Sequence, residues 1–166
     1  MRRVNSLQNN RWSLVIFFAV TLLIVAADQI SKFWIRSTLV IGESLFEFGF
    51  FSFTRINNTG AAFGLFQEQS LLLTIVDLLS VVILFFLAIF YYRRIPFLNN
   101  MLSRLALGLV LGGTVGNLID RIYLGHVTDF INVSFFSVFN IADSAIVIGA
   151  ILLAYSLFNV TVVRKS

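Results

Sequence analysis

Cysteine is absent from the 166 residues, and His126 is the only histidine. The first absence removes disulfides, a thiolate nucleophile and any cysteine-based metal site, and it leaves the redox compartment open. The second removes a zinc site of the HExxH kind and any Ser-His or Cys-His arrangement that needs a second histidine as a ligand. The serine motif GxSG and the aspartyl motif GxGD are missing as well. Charge is equally scarce: Asp, Glu, Lys and Arg make up 12% of the chain against 58% hydrophobic residues, with a mean hydropathy of +0.93. A soluble domain carries about twice that share of charge. The chain therefore reads as an integral membrane protein, one domain by length.

Four apolar stretches are long enough to cross a hydrocarbon core of about 30 Å, which takes roughly 20 helical residues. They run from Trp12 to about Trp34, Leu71 to about Tyr92, Leu102 to about Ile122, and Ile141 to Val163. Arg2, Arg3 and Arg11 precede the first, Arg93, Arg94 and Arg104 lie between the second and third, and Arg164 and Lys165 follow the fourth, eight of the 12 basic residues. The positive-inside rule puts those segments, and both termini, in the cytoplasm. Lys32, Arg36, Arg55, Arg121 and all eight acidic residues fall toward the other side. The net charge of +4 is thus an orientation signal and implies no nucleic-acid partner. The start imitates a cleavable signal peptide, with a basic leader, an apolar run and Ala26-Ala27. Apolar character resumes at Phe33-Trp34-Ile35, and removal of this span would spoil the charge map, so an uncleaved anchor is expected.

Between the first two spans, SLFEFGFFSFTRI alternates large apolar with smaller or polar residues, a strand period, and Asn57-Asn58-Thr59-Gly60 reads as a turn. The expected fold is an all-α membrane protein, a four-helix bundle with a small β-structured cradle over about 43–66. Seven phenylalanines between Phe46 and Phe66 favour a resting place on the membrane surface. Gly108, Gly112 and Gly116 form a GxxxGxxxG ladder, the signature of close helix packing, expected at least for Gly108 and Gly112.

Ionisable groups in or beside a span are expensive and usually have partners or a function. Asp28 and Lys32 form an i, i+4 pair with the acid first, the favourable order. Asp120 and Arg121 are expected to satisfy each other or neighbouring strands; Asp77, about two turns into the second span, has no chemistry assigned by its spacing. In DFINVSFFSVFNIADSA, Asp143 has a structural reading as the acid three positions after an Asn140 N-cap. Asp129 has one as a solvated loop residue. Taken together they say more: antiparallel third and fourth spans with a short connection bring both carboxylates to one membrane face. Two carboxylates at one low-dielectric site do not easily both ionise, so one keeps a proton, which is acid–base machinery. A small transporter or channel subunit, or a non-catalytic scaffold, remains open on these residues alone.

Five blocks, DQISK (28–32), NTGAAFG (58–64), GGTVGNLIDR (112–121), GHVTDF (125–130) and FNIADSAI (139–146), stand in the order and on the four-span layout that resemble the lipoprotein signal peptidases, or signal peptidase II, over essentially the whole chain. Any one block is weak, whereas five in register are specific. The resemblance implies an aspartic endopeptidase of the bacterial inner membrane that removes the signal peptide of a diacylglyceryl-modified prolipoprotein just before its lipidated cysteine. It implies Asp129 and Asp143 as the catalytic dyad, and not Asp120. It places Asn117, Arg121, Asn140 and Ala142 around the active site, with Asn58 and Gly60 from the periplasmic cradle and Asp28 and Lys32 in support. No metal or other cofactor is implied, and the partners are the prolipoprotein and membrane lipids, with the chain a monomer. Thr114 stands where the family often has alanine, and the 13 residues between the two aspartates are few for the family.

Overall fold

The computed structural model describes residues 2–60, 66, 68–92, 94–98 and 100–163, with the side chains at 2–11, 96 and 160–163 left aside. The side chains of Arg2, Arg3 and Arg11, the whole of Arg93, Arg164 and Lys165, and positions 61–64 of the NTGAAFG block lie outside the described residues. Helix α1 (Arg2–Thr38) leads into strands β1 (Ser44–Phe48) and β2 (Phe51–Asn58). Helix α2 (Ser70–Phe86) continues as a π-helical segment, Leu87–Tyr91, and a 3-10 turn, Pro96–Leu98, precedes α3 (Met101–Leu124). Strand β3 (Val127–Val133) and helix α4 (Ile141–Val163) complete the chain. Four of these helices are long and apolar enough to cross a membrane.

Helix α3 is the centre of the bundle, packed against α1, α2 and α4 and buried along most of its length, while the other three expose most of their apolar side chains. That distribution suits a lipid solvent, in which an outward Leu or Phe loses nothing and close backbone packing supplies the cohesion. The ladder glycines do this. A Cβ on Gly108 would lie 2.9 Å from the Phe17 carbonyl oxygen, and one on Gly112 would lie 2.8 Å from Ile24 Cβ, so α1 approaches α3 as closely as backbones allow. At the end away from the β-strands, Asn100 caps α3 by accepting from Ser103 N at 2.9 Å, and both residues donate to Ser156 Oγ of α4 at 2.8 Å.

The first helix runs beyond the expected Trp34 to Thr38 because Ile35 and Leu39 bury against Phe130 of β3, with Phe53 and Leu45 around them. Arg55 of β2 then donates to the carbonyls of Arg36 at 3.1 Å and Leu39 at 2.7 Å, satisfying helix-end acceptors that have no partner within α1.

The three strands form an antiparallel sheet in the order β1-β2-β3. Two local expectations change. Asn57 and Asn58 belong to β2, paired with Thr128 and Val127, and the chain bends only at Thr59-Gly60. Asp129 is no loop residue: it sits in β3 opposite Ile56, and the connection between α3 and α4 supplies the third strand. Both faces of Val127–Phe130 are covered, so polar and apolar residues do not alternate there and no strand period shows in the sequence. The short link after β3 folds tightly, with Phe139 pairing back onto Ile131.

Candidate active site

Asn140 is the N-cap of α4. Its Oδ1 accepts from Asp143 N at 2.8 Å and Asp143 Oδ2 accepts from Asn140 N at 3.1 Å, a reciprocal capping box. The structural reading of Asp143 is therefore correct, yet it occupies only one carboxylate oxygen. The other, Oδ1, accepts from Asn117 Nδ2 of α3 at 2.8 Å. Asp129, 2% exposed, accepts from Asn140 Nδ2 at 2.7 Å on Oδ1 and from Asn58 Nδ2 at 2.8 Å on Oδ2. One asparagine thus serves both acids.

The directions of these amides follow from a fixed donor. Lys32 has no acceptor, so the atom of Asn117 that meets its Nζ at 3.0 Å must be Oδ1, which turns Nδ2 to Asp143. Asn117 Oδ1 also accepts from Asn140 Nδ2 at 3.1 Å, and Asn140 Oδ1 is thereby free for the Asp143 amide. Gly60 N donates to Asn58 Oδ1 at 2.9 Å and sets the third amide in the same manner.

Burial pushes the Asp129 carboxyl up, and the charge of Asp143 pushes it further; the amides of Asn58 and Asn140 and the more distant Lys32 work in the opposite sense, and the result is about 7. No cation pairs directly with either acid among the contacts described.

Behind the amides lies a buried charge cluster. Lys32 Nζ meets Asp28 Oδ2 at 2.8 Å and Asp120 Oδ2 at 3.4 Å, and Asp28 Oδ1 accepts from Ala142 N at 3.0 Å, fixing the first turn of α4. Gly116 makes room for that carboxylate: a Cβ there would sit 2.6 Å from Asp28 Oδ2. Asp120 and Arg121 do not pair, because successive residues on a helix do not face each other. Asp120 instead accepts from Thr128 N at 2.9 Å and meets Arg36 at 3.4 Å, which anchors the start of β3. Arg121 pairs with Asp77 of α2 and donates to the Gly60 carbonyl at 3.3 Å.

All ten expected site residues converge on one end of the bundle. Asn58, Gly60, Asn117, Arg121, Asp129 and Asp143 line a cavity of about 530 Å³ whose other wall is apolar, with Phe136, Ile146 and Val147. Asn140, Ala142, Asp28 and Lys32 do not line it and are fully buried. Sequence reasoning missed Gln29 and Arg36, whereas the strand partner expected for Asp120 is found at Thr128 N of β3. Gln29 Nε2 donates to the Gly116 carbonyl at 3.0 Å and lies within 3.3 Å of both Asp28 and Asp120. Its place beside Asp28 in DQISK was the available signal.

Fold and site together define a four-span membrane protein with two carboxylates on the wall of a largely apolar cavity. Comparison with known proteins carries this further. The family model described as signal peptidase (SPase) II matches residues 20–159. A lipoprotein signal peptidase of Dehalococcoides mccartyi is 48% identical over 137 residues, covering 82% of this chain and 85% of that protein. One from Moorella thermoacetica is 42% identical over 142 residues, 85% and 91% of the two chains. A solved bacterial membrane enzyme at 2.3 Å resolution superposes with a TM-score of 0.79 at 31% identity, covering 87% of this chain and 88% of that one. A second, at 1.9 Å, gives 0.74 at 31% identity over 85% and 91%. The chain belongs to the signal peptidase II family.

Proposed function

We propose that this chain is an aspartic endopeptidase in which Asp129 and Asp143 cleave a diacylglyceryl-modified prolipoprotein just before its lipidated cysteine. Membership of the signal peptidase II family makes it a protease that removes signal peptides from lipoproteins, a multi-pass enzyme of the bacterial inner membrane. The aspartic chemistry is the finer step. The observation that carries it is the sharing of Asn140 by two carboxylates on the wall of one cavity, with neither acid paired directly to a cation among the described residues.

The proton belongs to the pair as a coupled unit; burial and the neighbouring Asp143 push the Asp129 carboxyl up to about 7. The ionised carboxylate takes a proton from water as the water oxygen bonds to the scissile carbonyl carbon, and the protonated one gives its proton to the carbonyl oxygen. Collapse breaks the carbon–nitrogen bond: the departing cysteine nitrogen takes the proton first removed from water, and a hydroxyl of the tetrahedral carbon returns its proton to the other carboxylate as the C=O re-forms, which restores the singly protonated pair. Asn117, Asn140 and Asn58 keep the two acids aimed. Arg121 and the apolar wall face the substrate, whose signal helix enters among the spans while its acyl chains stay in lipid. The distribution of basic residues supports cytoplasmic termini and an outer-face site. Exposed Phe46, Phe48 and Phe50 of the hairpin, with Phe135 beside Phe50, suit contact with the lipid interface. The protein works as a single membrane domain and as a monomer.

The test is direct. Purified protein is incubated with a diacylglyceryl-modified precursor and with the same precursor unlipidated, and the new amino terminus is read by mass spectrometry. Cleavage of the lipidated form alone, with the modified cysteine first, is the expected result; equal cleavage of both, or a cut elsewhere, rejects the substrate assignment.

A further inference from the structure

Asp77 is the single ionisable residue of α2, and it does not line the cavity. A carboxylate in an otherwise apolar span needs a partner or a task. Its partner is Arg121 of α3, whose Nη1 it holds through Oδ2. With one arm of the planar guanidinium anchored, the other is aimed: Nη2 donates to the Gly60 carbonyl at 3.3 Å. Gly60 N donates to Asn58 Oδ1 at 2.9 Å, and Asn58 Nδ2 donates to Asp129 Oδ2 at 2.8 Å. A continuous relay therefore runs from the second span to one reacting carboxylate. The other carboxylate has a counterpart, running from Asp28 through Lys32 and Asn117 to Asp143. Each begins at an ion pair and ends on an asparagine amide.

We infer that Asp77 is a positioning residue for Asp129, acting through Arg121, Gly60 and Asn58. The inference rests on the reading of Asp129 and Asp143 as the reacting pair. Without Asp77 the guanidinium loses its anchor, and the nearby carboxylates of the cavity draw it away from Gly60. Asn58 then loses the turn that fixes its amide, and Asp129 loses one of its two donors.

The experiment is a double-mutant cycle on the full-length protein in detergent, with kcat and KM measured on a diacylglyceryl-modified precursor for wild type, Asp77→Asn, Asn58→Ala and the double variant. Asp77→Asn is expected to lower kcat about 10- to 100-fold with KM within about twofold, as misplacement of a reacting group does. Asp77→Glu recovers part of the loss, and the double variant is no slower than Asn58→Ala alone. Wild-type kcat in Asp77→Asn, or a double variant slowed by the full product of the two single effects, overturns the relay. Should Asp77→Asn fail to accumulate as inserted protein, Asp77→Leu, which leaves α2 without an ionisable residue, takes its place with the same two criteria. Asp129→Asn and Asp143→Asn run in parallel: turnover in either refutes the dyad itself, whereas inactive dyad variants beside a fully active Asp77→Asn refute only the relay.

Discussion

The side-chain amide of Asn140 donates to Asp129 at 2.7 Å, while the Asn140 backbone amide donates to Asp143 at 3.1 Å. A residue that a helix needs as its cap has thus become the spacer between two acids. Its two duties separate by substitution. Asn140→Ser keeps a good N-cap and removes the donor to Asp129; Asn140→Ala removes both. In detergent, Asn140→Ser is expected to melt within a few degrees of wild type and to lose most of its turnover. Asn140→Ala is expected to lose turnover and about 1 kcal/mol of stability besides. Equal stability loss in the two variants would show that the cap is not what Asn140 provides.

The Asp129 carboxyl, raised to about 7, gives activity and stability a common pH dependence. A raised carboxyl pKa means that the folded state holds the proton more tightly than the unfolded chain does. The stability this contributes is complete below the ordinary carboxylate range of about 4 and is lost as pH rises through about 7. Turnover is expected to fall on the alkaline side with an apparent pKa near that value. Melting temperatures taken from pH 5 to 8 check the stability half: wild type declines across the interval more than Asp129→Asn does.

Lys32 lies fully buried between Asp28 and Asp120. Lys32→Met leaves buried Asp28 without a cation and Asp120 with Arg36 alone, a loss of about 3–5 kcal/mol for a broken buried pair. Replacing Asp28 as well, as Asp28→Asn with Lys32→Met, is expected to restore part of that stability but not turnover, since Asn117 loses the lysine donor and keeps only the Asn140 amide on its Oδ1. Unfolding in mixed micelles measures the first effect and precursor cleavage the second.

Gly116→Ala tests the packing behind the site. The added Cβ would meet Asp28 Oδ2 at 2.6 Å and push the carboxylate off the Ala142 amide. Turnover is expected to fall although position 116 does not line the cavity. Wild-type turnover would show that the hold on Ala142 is dispensable.

The four spans were legible because a helix in lipid must be long and apolar, and that requirement writes itself into composition. The Asn140–Asp143 cap and the glycine packing were legible because each is local or periodic. Strand β3 was not, since a strand covered on both faces has no alternation. The cations that meet Asp77 and Asp120 were hidden for a different reason. They come from other helices, and sequence spacing says nothing about which side chains meet across a bundle. The ten site residues could be chosen because the five blocks stood in register, while the order of hydrogen bonds among them needed three dimensions.

The account stands most directly on cleavage of a diacylglyceryl-modified precursor by Asp129→Asn and Asp143→Asn, each shown to be inserted and folded with wild-type helicity. It predicts that neither variant releases the signal peptide under conditions in which wild-type protein does so completely. Retained turnover in either one would contradict it.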